Sequence, residues 1–218
     1  MRKASWADRL LSAADNALRT LASPSPPGSG RPSPAAQVAP EASQASLTAA
    51  EQSLSASLMR VNHSGEVAAQ ALYQGQALAA GDDQGLAALL QSAAREEADH
   101  LRWCEARIRA LGGRTSLLNP VWYAGAFGLG FLAGRLGGPT SLGFLSETER
   151  QVEAHLESHL ARLPQNDSAS RAVVAQMIRD EADHGQLARN HGARILPFPI
   201  RQAMRLSGRV MTGTAHYL

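Results

Sequence analysis

Glu97-Ala98-Asp99-His100 and Glu181-Ala182-Asp183-His184 repeat one spacing, a Glu three residues ahead of a His, and each copy lies in a helix-like stretch. Residues three apart share a helix face, so a Glu and its His can point at one metal ion while the carboxylate also reaches a second. Four-helix bundles build carboxylate-bridged di-metal sites this way, with Glu-x-x-His from two helices and one further Glu from each of the other two. For the 11 Glu and 7 His of this 218-residue chain, chance supplies about 0.35 such spacings, so one copy alone carries little. Two copies in corresponding helices carry far more.

The bland alternative is that these residues are solvated charges on helix surfaces, and periodicity argues against it. Val174, Met177, Ile178, Glu181, His184 and Ala188 follow the i, i+3, i+4, i+7 rule, as do Leu86, Leu90, Ala93, Glu97, His100 and Cys104. The polar pairs therefore lie within the apolar stripes. A charge buried without a partner costs several kcal/mol or more, so such positions require a compensating ion or network.

Two more helices must supply the remaining carboxylates. Glu66 is the only acid between Glu51 and Asp82 and is the candidate on the first helix. The third helix offers Glu147, Glu149, Glu153 and Glu157, and its apolar stripe of Leu142, Leu145, Val152, Leu156 and Leu163 selects Glu149 as the inward one. Glu147 and Glu157 belong to solvated faces, and Glu153 to the edge. His155 and His159 are candidates for a supporting role behind the ligands.

The elements that carry these residues read as all-α. Bundle helices are expected over roughly 48–80, 84–111, 141–163 and 168–192, with a Gly112-Gly113 stop, a break before Pro164 and an Asp167 or Ser168 cap. No convincing alternating strand pattern appears. The chain divides into an amphipathic N-terminal helix (1–21), a Pro/Ser/Ala-rich stretch (22–45) expected to be a disordered linker, and a folded body (46–218). Asp8 and Asp15 disfavour a cleavable targeting peptide, and no apolar stretch for secretion is seen.

The single Cys104 excludes an internal disulfide and a cysteine-based zinc site, and reads as a small core residue. Net charge is only +2, but no acid follows Asp183, so the C-terminal segment 194–218 with Arg201, Arg205 and Arg209 is a basic end. Such an end suits anionic lipid; no recognition motif supports nucleic acid as a partner. Residues 117–134 carry no charge, yet Asn119, Pro120 and several glycines weaken them as a spanning helix. A segment lying in the membrane interface, with Trp122 and Tyr123 at headgroup level and Arg114 and Arg135 flanking it, is expected, against the alternative of a buried crossover between bundle helices two and three.

The stretches Leu58-Met59-Arg60-Val61-Asn62-His63-Ser64-Gly65-Glu66, Tyr73-Gln74-Gly75-Gln76, Glu96-Glu97-Ala98-Asp99-His100-Leu101 and Asn119-Pro120-Val121-Trp122 closely resemble the demethoxyubiquinone hydroxylase family of coenzyme Q biosynthesis. So do Glu147-Thr148-Glu149-Arg150-Gln151-Val152-Glu153-Ala154-His155 and Asp180-Glu181-Ala182-Asp183-His184. The resemblance runs in order through residues 46–218. It implies a membrane-bound, ferritin-like di-iron protein whose ligands are Glu66, Glu97, His100, Glu149, Glu181 and His184, with Glu97 and Glu181 bridging the two irons. His155 matches a family position near the site, with a supporting or proton-handling role.

The implied reaction is O2-dependent hydroxylation of the ring of a polyprenylated benzoquinol, drawing on an external reductant, NADH by way of the quinone. The expected location is peripheral on the cell membrane, in the company of other quinone-biosynthesis proteins; the use of Arg in place of Lys, with Lys3 the one lysine, suggests a GC-rich bacterial genome and so the cytoplasmic face. Two alternatives use the same features: another di-iron activity such as quinol oxidation or peroxide reduction, which would not oxygenate the ring, and a non-enzymatic membrane-associated helical scaffold, which would tolerate Glu181→Gln.

Overall fold

The computed structural model describes residues 6–22, 30–38, 47–80 and 83–217. Seven α-helices and one short 3-10 turn appear among them, and no strand. The helices are α1 (Trp6–Ala22), α2 (Ala49–Ala80), α3 (Gln84–Ala110), α4 (Asn119–Arg135), α5 (Gly138–Arg162), α6 (Ser168–Asn190) and α7 (Phe198–Ala215). Local chemistry sets their starts. Thr48 and Glu51 form a reciprocal capping box, the Thr48 N–H donating to the Glu51 carboxylate at 2.8 Å and the Glu51 N–H donating to Oγ1 of Thr48 at 3.3 Å. Asp83 accepts from the Leu86 N–H to cap α3, and Asp167 from the Ser170 N–H to cap α6. Gly112 and Gly192, both with positive φ, follow the ends of α3 and α6.

Helices α2 and α3 form one antiparallel pair and α5 and α6 the other; the pairs meet through α3 with α6 and α2 with α5. Two of the three apolar clusters among the described residues fill the space between the pairs, and the third joins Val67, Ala71 and Leu101 to Tyr123 of the segment that connects them. Of the two, one gathers Leu58, Met59, Ile108, Leu156, Val174 and Met177; the other gathers Tyr73, Leu90, Leu142, Leu145 and Ala188. On every bundle helix the candidate ligand falls between a member of the first cluster and a member of the second: Glu66 between Met59 and Tyr73, Glu149 between Leu145 and Leu156. A polar layer is thus clamped between two greasy ones, which fix its helices in place.

The connection between the pairs is itself a helix, α4, packed along α2. Glycine makes that approach close: a Cβ on Gly130 would collide with the Leu72 carbonyl, and one on Gly75 with the Phe127 carbonyl. Gly130 and Gly134, two of the four glycines that weaken 117–134 as a membrane span, are therefore the packing surface of a crossover helix, while Gly125 and Gly128 meet no neighbour. Tyr123, expected at headgroup level, is instead buried and donates its hydroxyl to Gln74, because its face of α4 is the one turned to α2. The opposite face stays apolar and exposed, at Val121, Leu129 and Leu132, with Leu117 and Leu136 beside the helix ends. No helix among the described residues is long and apolar enough to cross a membrane.

Part of the stretch expected to be a linker is packed. Residues 30–38 include the 3-10 turn Pro34–Gln37, which lies on α6, and Ala35 packs against the first apolar cluster. The rest of that stretch beyond Ala22 lies outside the described residues. The basic C-terminal end forms α7, a helix not anticipated from its arginines, with Leu206 and Val210 exposed beside Arg205 and Arg209.

Candidate metal centre

The structure brings together the six residues singled out in the sequence. Ligand atoms of Glu66, Glu97, His100 and Glu181 lie within 4.8 Å of one another, and so do those of Glu97, Glu149, Glu181 and His184. The two groups share Glu97 and Glu181 and no other residue. Each group also has one private Glu and one private His, which is the composition of two adjoining cation sites bridged by two carboxylates. All six residues are buried.

Both histidines present the same edge. Nδ1 of His100 faces Glu97 at 3.1 Å and Glu181 at 3.3 Å, while Nδ1 of His184 faces Glu97 at 3.0 Å and Glu181 at 3.5 Å. The outer nitrogens differ in their partners. Nε2 of His100 meets Asp180 at 2.8 Å, and Nε2 of His184 meets the half-exposed Glu96 at 3.4 Å. An imidazole whose far N–H donates to a carboxylate turns its other lone pair inward, the orientation of a metal ligand.

The electrostatics make the same demand. Burial and the neighbouring Glu97 push the Glu66 carboxyl well above its usual range, and burial with Glu181 and Glu97 does the same to Glu149. Burial acts against the charge of Glu97 too, yet His100 and His184 hold it well below the usual range. Burial likewise opposes charge on His100, but Glu97, Asp180, Glu181 and Glu66 together raise it well above an ordinary imidazole. Four carboxylates in an apolar interior thus attract positive charge to one point. Several inner atoms have no hydrogen-bond partner: Oε2 of Glu66, both carboxylate oxygens of Glu181 and Nδ1 of His184. Orphaned acceptors of this kind, buried and aimed at a common centre, fit a pair of divalent cations.

Tyr73 was not singled out as a site residue, although it lies seven residues after Glu66 on the same stripe. Its buried hydroxyl donates to Glu149 and lies 3.5 Å from Glu97. His155 takes a different position from the six. It lines a half-open cavity of about 740 Å³ between α2, α4, α5 and α7, which reaches Glu66 on one side and Trp122, Phe144 and Met211 on others. Its Nε2 is buried without a hydrogen-bond partner, and its ring packs on His159, 4.0 Å between centroids. His159 in turn donates from Nδ1 to Oδ1 of Asn62 at 2.7 Å. Glu147 is buried rather than solvated, because Arg150 and Gln151 on its own helix hold it at 2.6 Å each; it lies outside the ligand cluster. Glu157 is exposed, as its face predicts, and Glu153 is half-buried.

Residues 53–215 match the family model described as ubiquinone biosynthesis protein COQ7. The chain is 58% identical to a protein of Verminephrobacter eiseniae over 212 residues, covering 97% of this chain and 99% of that relative. It is 57% identical over 209 residues to one from Variovorax paradoxus (96% and 97% covered) and 55% identical over 211 residues to one from a Polaromonas species (97% and 98% covered). All three relatives carry the name 3-demethoxyubiquinol 3-hydroxylase.

Proposed function

The chain belongs to the COQ7 family of ubiquinone biosynthesis proteins, and from that premise we propose that it hydroxylates the ring of a polyprenylated demethoxyubiquinol at a di-iron centre. The observation that carries the reading is the pair of overlapping ligand groups that share Glu97 and Glu181. One iron would take Glu66 and His100, the other Glu149 and His184, with Glu97 and Glu181 between them. When bound, the irons supply the electrons that activate O2. One oxygen atom enters the ring and the other leaves as water, with NADH by way of the quinone as the external reductant.

The protein's own residues do the rest. The cavity beside Glu66 has the size of a small-molecule site, and its Leu72, Trp122, Phe144 and Met211 walls suit an apolar quinol. Glu66 at its inner end brings a ring bound there to the edge of the metal centre. His155, on the cavity wall, sets an imidazole beside a quinol ring bound there. Tyr73, whose hydroxyl donates to Glu149, fixes that carboxylate within the centre.

The substrate tail confines the reaction to a bilayer. We propose that the exposed leucines of α4 and the Leu206/Val210 edge of α7 enter the interface, while Arg114, Arg135, Arg205 and Arg209 meet anionic headgroups of the cytoplasmic leaflet. Other quinone-biosynthesis proteins would meet the enzyme on that surface. Changing Val121, Leu129 and Leu132 together to Ser should release the protein from anionic liposomes by cosedimentation; retention equal to the wild type would sink the docking face.

The reaction is tested by anaerobic loading with Fe(II), followed by O2 and a demethoxyubiquinol analogue. Mass spectrometry should find a product one oxygen heavier with the wild type and none with Glu181→Gln. Iron binding without that product would move the reading to a quinol oxidase or peroxidase, and a wild type that binds no iron would remove it.

A further inference from the structure

Residues 30–38 lie outside the span matched by the family model, yet they reach the metal centre from the side opposite the quinol cavity. The cavity is walled by α2, α4, α5 and α7; these residues lie against α3 and α6. Arg31 Nη1 donates to Oδ2 of Asp180 at 2.9 Å, the same oxygen that holds Nε2 of His100 at 2.8 Å. Its Nε lies 3.5 Å from Oδ2 of Asp99, and its Nη2 lies 3.4 Å from Nε2 of His100. The guanidinium lies over the indole of Trp103, 5.0 Å from the ring centroid, and the Gly30 N–H donates to Oδ1 of Asp99 at 3.3 Å. The next turn, Pro34–Gln37, anchors the segment on α6 through Ala35.

We propose that Gly30–Gln37 is a strap whose Arg31 is a positioning residue for the iron that His100 binds, and that it limits the escape of that iron. The proposal rests on the di-iron reading above. His100 can offer Nδ1 to a cation only while Nε2 is held outward by Asp180, and Asp180 is held in turn by Arg31. A planar guanidinium is suited to the task because it bonds Asp180 and Asp99 at once while its face packs on Trp103. His184 has no equivalent among the described residues: its outer partner is Glu96, which Arg31 reaches only at 4.0 Å. The strap therefore secures one half of the centre and leaves the other as it is.

The experiment uses the full chain loaded with Fe(II) and follows iron release to a ferrous chelator, with Mössbauer spectra of the loaded proteins. Outer partners of ligating histidines change metal affinity about 10–100-fold, so Arg31→Ala should release one of the two irons about tenfold faster, with one of the two iron signals altered. Arg31→Lys, which keeps the charge but not the fork, should fall between it and the wild type. Release of both irons at the wild-type rates would overturn the strap and leave the di-iron reading standing. Equal acceleration of both irons, with a lowered melting temperature, would reduce the strap to general packing and overturn its positioning role. A wild type that holds no iron would remove the di-iron reading and this inference together.

Discussion

Four histidines lie in the interior of this bundle, and they divide into two pairs with opposite behaviour. His100 and His184 are 0% and 5% exposed; His63 and His159 are 6% and 2%. Burial disfavours charge on all four. At His63 burial, with Arg109, lowers the pKa to about 4, and at His159 burial, with His155 and Arg162, lowers it to about 3. At His100 and His184 the surrounding carboxylates reverse the sign, and both are raised. Burial therefore does not distinguish a ligand from a structural histidine; the company of Glu97 and Glu181 does. The most damaging way to break the contrast is Glu181→Gln, which removes the carboxylate that faces Nδ1 of both His100 and His184. Iron binding should fall from two ions to less than one per chain by elemental analysis, and hydroxylation to the level of the iron-free protein. His63 and His159, held by Asn119 and Asn62, should keep the fold intact by circular dichroism.

The second pair has its own signature in stability. A histidine whose folded pKa is depressed binds fewer protons folded than unfolded, so its contribution is complete above the unfolded value and is lost as pH falls through the folded one. For His63 and His159 the window runs from the unfolded value of about 6.5 down to about 4 and about 3 respectively. Between about pH 7 and about pH 5, each should withdraw about 2 kcal/mol of folding stability. Urea unfolding at the two pH values measures the loss. His159→Gln, which retains a donor for Asn62 but cannot titrate, should reduce the pH-dependent loss by about half of the pair's total. An unchanged pH dependence would show that His159 does not distinguish the folded from the unfolded chain.

The same division between local and distant causes decides what was legible in the sequence. The six clustered residues were legible because each sits in a stripe that its own helix spells out, and the boundaries of α2, α3 and α6 because Thr48, Asp83, Asp167 and the following glycines act locally. Tyr73 carried a signal too, at the register of Glu66, but a tyrosine on an apolar stripe reads equally well as core. What escaped depends on partners far away in the chain. Arg31 lies 149 residues from Asp180 and 68 from Asp99, within a Pro- and Ser-rich stretch whose composition says linker. Gly130 and Gly134 looked like flaws in an apolar segment until α4 was seen lying on α2, where Gly75 makes room for it from the other side. Glu147 shows the reverse failure: its face of α5 was read as solvated, and a turn of the same helix, through Arg150 and Gln151, supplied the partners that let it be buried. Helix α7 was obscured by its arginines, which drew attention to charge rather than to the leucine and valine between them.

The smallest expected effect is also the one that separates the two halves of the metal centre. Asp180 and Glu96 occupy equivalent places, each behind Nε2 of a candidate ligand, but Asp180 is 9% exposed and shared with Arg31, whereas Glu96 is 37% exposed and stands farther from its histidine. A carboxylate held on two sides and shielded from water orients its partner more firmly than one that water can replace. Asp180→Asn should therefore weaken iron binding about tenfold at the His100 half. Glu96→Gln, with water able to take its place, should cost only about two- to threefold at the other. Competition between protein and chelator for Fe(II), read separately for the two sites, gives both ratios. Equal losses would mean that the two halves are equivalent despite their different surroundings. A larger loss for Glu96→Gln would place the weak half on the side of the Arg31 strap and reverse the asymmetry drawn from the structure.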